Sequence, residues 1–393
     1  MGPSKRSGPI FERHYARAIN VGVKHMRSVM LSVCLILAGA SLSGATPRLA
    51  ARYGQDCHLC HVNPTGGGMR NGFVTQFIGP SELPLKPLSA HEQERWPSPK
   101  ISDQISVGLD MRLLYVAPDD VATGAGVLEN TFYQMQGDLY LAFAPDPQFT
   151  IYMDRGLQSG FEVFVLARVL PAHGYLKAGQ FVPDIGWRWD DHNHYTREKI
   201  GLDFPGATEA GLEAGFTPGH WVISAGIYNG AEGTPLDHNS QKAITGRVLY
   251  RLGLGELQTA FGGSMRLDHG HHARERLWGI QGQASWKSLS YITDAYGQRT
   301  EHADGDEERV WSWLFSQEID LRPIQGLDFY VGYDFLDPDV DLLSGTQTQV
   351  SVGSRIYLRH FLKLEPMFKY EEGEVAPGRR TNSRFELLVH AFY

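Results

Sequence analysis

The chain has 393 residues, 36 lysines and arginines against 44 aspartates and glutamates, a formal net charge of -8 and 42% hydrophobic residues. That acidic balance excludes nucleic acid as a partner, and past residue 45 no apolar run is long enough for a membrane-spanning helix. By composition the chain passes for a soluble enzyme, yet glycine (44 residues) and aromatics (11%) are both high and sit in alternating stretches, which points to β structure.

The first predicted element is a leader over residues 1–45. Lys24, His25 and Arg27 precede the apolar run 29–40 and then Ser43-Gly44-Ala45, the three-part pattern of a secretory signal peptide. The run is too short to span a bilayer comfortably, so export with cleavage near Ala45 is expected, with Ala50 and Ala51 as other positions. The polar stretch before Met26 is unusual for such a signal and points to Met26 as the true start. Cys34 lies inside the apolar run, and Val33 before it suits a buried signal-peptide cysteine better than a lipoprotein site.

Residues 46–100 read as a small cytochrome c segment and linker. Cys57-His58-Leu59-Cys60-His61 is the C-x-x-C-H pattern of covalent c-type haem attachment. The two thiols form thioethers to the porphyrin vinyl groups, and the chain between them presents His61 to the iron as proximal ligand. One covalent haem c is expected, and the export signal agrees with it because attachment of this type follows export. A zinc site would need a second ligand pair and a redox dithiol a βαβ context, and neither follows. The turn Gly66-Gly67-Gly68 lets backbone approach a flat group closely, Arg70 suits a haem propionate, and Phe73 and Phe77 suit the porphyrin edge; loop, solvated charge and core are their plainer roles. Met69, His58 and His91 are the candidates for the sixth iron position, and a methionine there would raise the reduction potential relative to a second histidine. Residues 80–87 read as an extended, proline-rich linker. A unit this small builds little core of its own and must lean on the haem and on the next domain.

From 101 to 393 the chain alternates apolar and polar residues. Ile105, Val107, Leu109, Met111, Leu113 and Tyr115 share one face of the first stretch, and Ser106, Gly108, Asp110 and Arg112 the other. About sixteen such stretches follow one another, an even number that suits a closed antiparallel outer-membrane β-barrel. Alternation alone does not separate a barrel from a soluble sandwich; connection lengths do. Short connections (144–147, 218–219, 253–255, 322–325, 359–360) alternate with longer ones (119–129, 183–208, 230–242, 300–308, 337–346, 371–383), the asymmetry of periplasmic turns and external loops. The last stretch, 385–393, ends on Tyr393 and looks like the terminal-strand signal read by the barrel-assembly machinery. The inward face carries both signs, among them Asp110, Arg112, Glu162, Glu213, Arg355 and Lys363, which either line a pore or cross-pair to narrow it. The expected external loops are acidic (Asp119-Asp120, Glu371-Glu372) and hold His192, His194, His269, His271 and His272, with capture of a divalent cation as the functional reading and a solvated surface as the plainer one.

A C-x-x-C-H segment behind a leader and ahead of about sixteen strands resembles the outer-membrane monohaem cytochrome–porin fusions, a family that includes iron-oxidising outer-membrane cytochromes. The resemblance covers the mature chain in architecture, and residue by residue it rests on Cys57, Cys60 and His61. It implies an electron-transfer protein or donor oxidase of the bacterial outer membrane, taking electrons from an extracellular donor, ferrous iron in the named members, to periplasmic cytochromes or other carriers. This chain departs from the iron-oxidising branch at residues 65–71. The other expected function is a small-solute porin in which the haem segment is a plug or sensor.

Overall fold

The computed structural model describes residues 50–51, 54–55, 57–118, 130–156, 161–189, 194–202, 207–230, 240–270, 273–302, 309–342, 344–375 and 378–393. The expected leader with Cys34, the carboxylates Asp119 and Asp120, and His192, His271 and His272 lie outside them.

Period-two alternation requires strands, and sixteen form. They are β1 (Ile105–Pro118), β2 (Thr131–Phe143), β3 (Phe149–Gly156), β4 (Phe161–Leu170), β5 (Gly174–Phe181), β6 (Glu209–Phe216), β7 (Trp221–Tyr228) and β8 (Ala243–Leu254). The second half comprises β9 (Leu257–His269), β10 (Ala273–Trp286), β11 (Leu289–His302), β12 (Arg309–Ile324), β13 (Leu327–Asp337), β14 (Gln347–Arg359), β15 (Leu362–Val375) and β16 (Gly378–Phe392). Each pairs with its sequence neighbours in antiparallel register, and β16 closes on β1 with Asp110 opposite Phe392 and Arg112 opposite His390, so the sheet is a closed barrel with no free edge. Tyr393 continues the seam by exchanging both backbone hydrogen bonds with Leu109, at 2.8 and 3.0 Å.

The outside of this barrel is apolar and the inside charged, the inverse of a water-soluble fold. Leu139 and Ile280 face outward at 71% and 69% exposure, whereas Arg355 and Lys363 face inward at 0% and 1%. The charged lumen cross-pairs. Arg355 bonds Glu318 at 2.9 Å and Glu365 at 3.0 Å and also meets Asp320, while Lys363 pairs with Glu365 at 2.7 Å. Burial this deep is tolerated because each charge has a partner of opposite sign in hydrogen-bonding contact.

Short connections such as 255–256, 287–288, 325–326 and 360–361 gather at one end. At the other end two expectations change. Residues 371–383, read as a long loop, are largely strand: Glu371 pairs with Asn382 and Glu374 with Arg379, because ladder pairing is a backbone property that polar residues satisfy as well as apolar ones. Of residues 183–208, read as an external loop, the described parts 183–189 and 194–202 lie inside the barrel, and in them Ile185, Trp187, Trp189 and Leu202 are buried.

The N-terminal segment also occupies the lumen. Residues 80–87 are not the extended linker that the prolines suggest. A wide helical turn at Val74–Ile78 runs into α1 (Gly79–Glu82), where Pro80 is tolerated because a first-turn position needs no backbone donor. The chain then docks on the short-turn rim, with Leu85 N–H donating to the Tyr357 carbonyl at 2.9 Å and Gln325 Nε2 to the Ser81 carbonyl at 2.8 Å. A second helix, α2 (Ala90–Arg95), starts from a capping box between Ser89 and Glu92 and ends at Trp96, whose ring stacks on Phe361 at 5.2 Å.

Candidate functional site

The sequence Cys57-His58-Leu59 folds as a single tight turn from which the His61 N–H donates back to the Cys57 carbonyl at 3.0 Å. The chain then closes on itself: Val62 N–H donates to the Met69 carbonyl at 3.0 Å and Asn71 N–H to the Cys60 carbonyl at 2.9 Å. Asn71 tightens the base by donating from Nδ2 to the Leu59 carbonyl at 2.8 Å. The end of this hairpin is the glycine turn, with φ of +89°, +74° and +59° at Gly66, Gly67 and Gly68. A side chain on Gly67 would collide with the Arg188 guanidinium and one on Gly68 with the Tyr152 hydroxyl, so glycine is required both for conformation and for close approach.

Strands hold the hairpin from the side. Met69 N–H donates to the Tyr152 hydroxyl of β3 at 3.1 Å. Lys177 of β5 donates to Asn63 Oδ1 at 3.3 Å and Thr65 Oγ1 at 3.2 Å while paired with Glu213 of β6 at 2.7 Å. Arg168 of β4 reaches the Val62 carbonyl at 3.3 Å.

Cys57, Cys60, His61, the three glycines and Arg70 line one lumenal cavity containing about 1460 Å³ of space free of protein atoms, part of it open to solvent. Its strand wall includes Asp110 and Arg112 of β1, Lys363 of β15 and His390 of β16, and the inturned 182–202 connection adds Arg188, Trp189, Arg197 and Leu202. That connection is fixed across the lumen: Arg188 pairs with Glu162 of β4 at 3.0 Å, Asp184 with Arg247 of β8 at 2.9 Å, and Trp187 Nε1 donates to the Thr293 carbonyl of β11 at 3.0 Å. A short helix, α3 (Tyr195–Lys199), lies within it, and Arg197 donates to the carbonyls of Ile185, Trp187 and Leu202 at 3.0, 3.0 and 2.7 Å.

Burial, reinforced by the Arg70 and Arg188 guanidiniums, lowers the His61 imidazole to about 4, so at neutral pH it is the uncharged base that binds metals. Its Nδ1 is buried and has no hydrogen-bond partner. Arg188 stays firmly protonated: burial opposes its charge, but the Glu162 carboxylate outweighs that and raises it.

The sequence-predicted residues divide. Cys57, Cys60, His61 and Arg70 come together at the cavity. Met69 is 1% exposed but packs into the wall cluster with Tyr140, Tyr152 and Phe164 rather than lining the cavity. His58 and His91 are exposed, the latter on α2. Phe73 and Phe77 point to solvent, and Val74, Ile78 and Leu83 supply the apolar surface expected of them. His194 stacks on Trp189 at 4.1 Å, and among the described residues no three His, Cys, Asp or Glu side chains gather as a metal site. Sequence reasoning missed His390, Arg188 and Trp189. Tryptophans 187 and 189 in a connection otherwise read as external were the available signal.

No family model matches the chain, and no curated protein matches it. Among solved structures it is similar to the outer-membrane expressed OmpT of Vibrio cholerae, with a TM-score of 0.56 and 11% identity over 75% of this chain and 99% of that one. It is also similar to an anion-selective porin from Comamonas acidovorans (TM-score 0.52, 10% identity, 74% and 99% of the two chains). A third is the outer membrane channel DcaP of Acinetobacter baumannii (TM-score 0.50, 12% identity, 75% and 99%). The likeness is one of fold: a porin-like barrel.

Proposed function

We propose that this chain binds one haem c through Cys57, Cys60 and His61 inside a porin-like barrel of the bacterial outer membrane, and serves as an electron conduit between an extracellular donor, ferrous iron by family resemblance, and periplasmic carriers. The observation that carries the reading is the convergence of both thiols and His61 on one large cavity inside the barrel. The apolar outer face supports placement in a bilayer, and the closed sheet leaves no backbone group to be satisfied by lipid.

The residues present fit the group. The two cysteines stand at the spacing that thioether formation needs, and His61 lines the same cavity as an uncharged imidazole that suits ligation. The glycine turn lies against the attachment cysteine, since a Cβ on Gly66 would meet Cys57 Sγ at 3.0 Å. Arg70 on the lining suits a propionate, and Val74, Ile78 and Leu83 give the lining an apolar side against which a porphyrin would pack. Once bound, the haem supplies one-electron redox chemistry.

The second reading, a small-solute porin plugged by the 57–84 segment, is favoured by the barrel fold shared with porins. Protein made with a c-type maturation system separates the two. A conduit gives a barrel that keeps haem stain after denaturation and acid-acetone extraction, loses it in the Cys57→Ala, Cys60→Ala double variant, and passes little current in planar bilayers. Unstained wild-type protein with porin-like conductance establishes the porin reading.

A further inference from the structure

We infer that His390 is the second axial ligand of the iron held by His61, with Asp110 as its positioning residue. The inference rests on the haem reading above. His390 sits on the last strand, is 1% exposed and lines the cavity that receives both thiols and His61. One ring nitrogen is taken: Nε2 lies 2.9 Å from Asp110 Oδ2 across the β1–β16 seam. A carboxylate accepts the single N–H of a neutral imidazole and so leaves the other nitrogen with a free lone pair. That nitrogen, Nδ1, is buried and without a hydrogen-bond partner. A metal-ligating histidine is held in just this manner, one nitrogen on a carboxylate that fixes the tautomer and ring plane and the other offered to the metal.

A chain of contacts ties this histidine to the attachment motif. His61 forms a backbone bridge with Arg70, the Arg70 guanidinium lies 3.9 Å over the Phe392 ring, and that ring is 4.9 Å from the His390 imidazole. The other candidates are placed differently. Met69 is packed among wall tyrosines, and His58 and His91 are exposed and off the cavity lining. Among the described residues lining the cavity, His61 and His390 are the imidazoles and none carries a thioether. Two imidazoles place the reduction potential below that of a histidine–methionine pair.

The test is spectroscopy of the purified haem-bearing protein. Wild type is expected to show a low-spin bis-imidazole ferric electron paramagnetic resonance spectrum, no near-infrared thioether-to-iron band, and no carbon monoxide binding when reduced. His390→Ala should turn high-spin and bind carbon monoxide, with free imidazole restoring the low-spin spectrum. His390→Met should introduce the thioether band and raise the potential, which keeps the test alive where the alanine variant fails to assemble. Met69→Leu should change none of these. Asp110→Asn should raise the potential while ligation persists; an unmoved potential removes Asp110's positioning role. A thioether band or high-spin iron in wild type overturns the assignment, as does an unaltered spectrum in a His390→Ala barrel that stains normally for haem. Absence of covalent haem from wild type instead overturns the function on which the inference rests, so the two failures are told apart.

Discussion

Gly68 carries more of the site than its size suggests. Its φ of +59° and the 2.2 Å that would separate an added Cβ from the Tyr152 hydroxyl exclude any side chain without movement of the turn. The same hydroxyl accepts the Met69 N–H, so the turn and the β3 wall are fixed together. Gly68→Ala is therefore expected to destabilise the docked hairpin by about 1–3 kcal/mol, the cost of a left-handed non-glycine residue plus a displaced hydrogen bond. The check is the temperature midpoint of the heat-modifiable gel shift together with haem stain per barrel. Both should fall, and Tyr152→Phe, which loses only the hydrogen bond, should lower them less. An alanine variant indistinguishable from wild type would show that the turn does not depend on this approach. The sequence reading took these glycines as making room for a porphyrin. It could not show that Tyr152 and Arg188 press on the same turn, since those contacts join residues far apart in the chain.

At the scale of elements, the 182–202 connection separates what the sequence reveals from what it hides. The strands were legible because period two is a local property: Asp110 and Arg112 had to face opposite to Leu109 and Met111, and they do. The fate of the connection was not legible, because its partners, Arg247, Thr293 and Asp294, belong to strands that become its neighbours only once the barrel has closed. His390 was hidden for the same reason, since its partner Asp110 lies on the first strand, 280 residues away along the chain, and becomes its neighbour only when the barrel closes. Arg197 holds the connection together by donating to three backbone carbonyls, those of Ile185, Trp187 and Leu202. Leaving such groups unsatisfied costs roughly 1–3 kcal/mol each. Arg197→Ala should accordingly loosen the connection, seen as faster protease cleavage between residues 183 and 202 and a higher single-channel conductance than wild type. Equal conductance and cleavage would mean that the ion pairs of Asp184 and Arg188 suffice to hold it.

At the scale of the whole molecule, the proposed conduit has to solve a distance problem that a membrane poses to electron transfer. The hydrocarbon layer around such a barrel is about 25 Å tall, and a redox group left on one face would be a full layer from the other, too far for efficient single-step tunnelling. This chain brings its C-x-x-C-H segment into the lumen: the hairpin is held by Tyr152, Arg168 and Lys177 on the inner wall, and the cavity it opens onto is lined in part by Arg188, Trp189, Arg197 and Leu202 of the 182–202 connection. On the proposed reading a donor outside would reach the cavity through that connection, whose Trp189 lines the cavity and stacks on His194. In intact cells a membrane-impermeant reductant should therefore reduce the haem at a rate comparable with that of a permeant one, and shortening the connection across residues 183–202 should change the impermeant rate far more than the permeant rate. If only permeant reductants act, the lumen gives no outside access to the cavity, the conduit fails, and the plugged porin takes its place. The outer face decides whether the experiment is posed in the right compartment. Leu139, Ile280 and their outward neighbours need lipid around them, and a barrel that closes through Tyr393 on Leu109 should fractionate with the outer membrane and migrate differently when boiled.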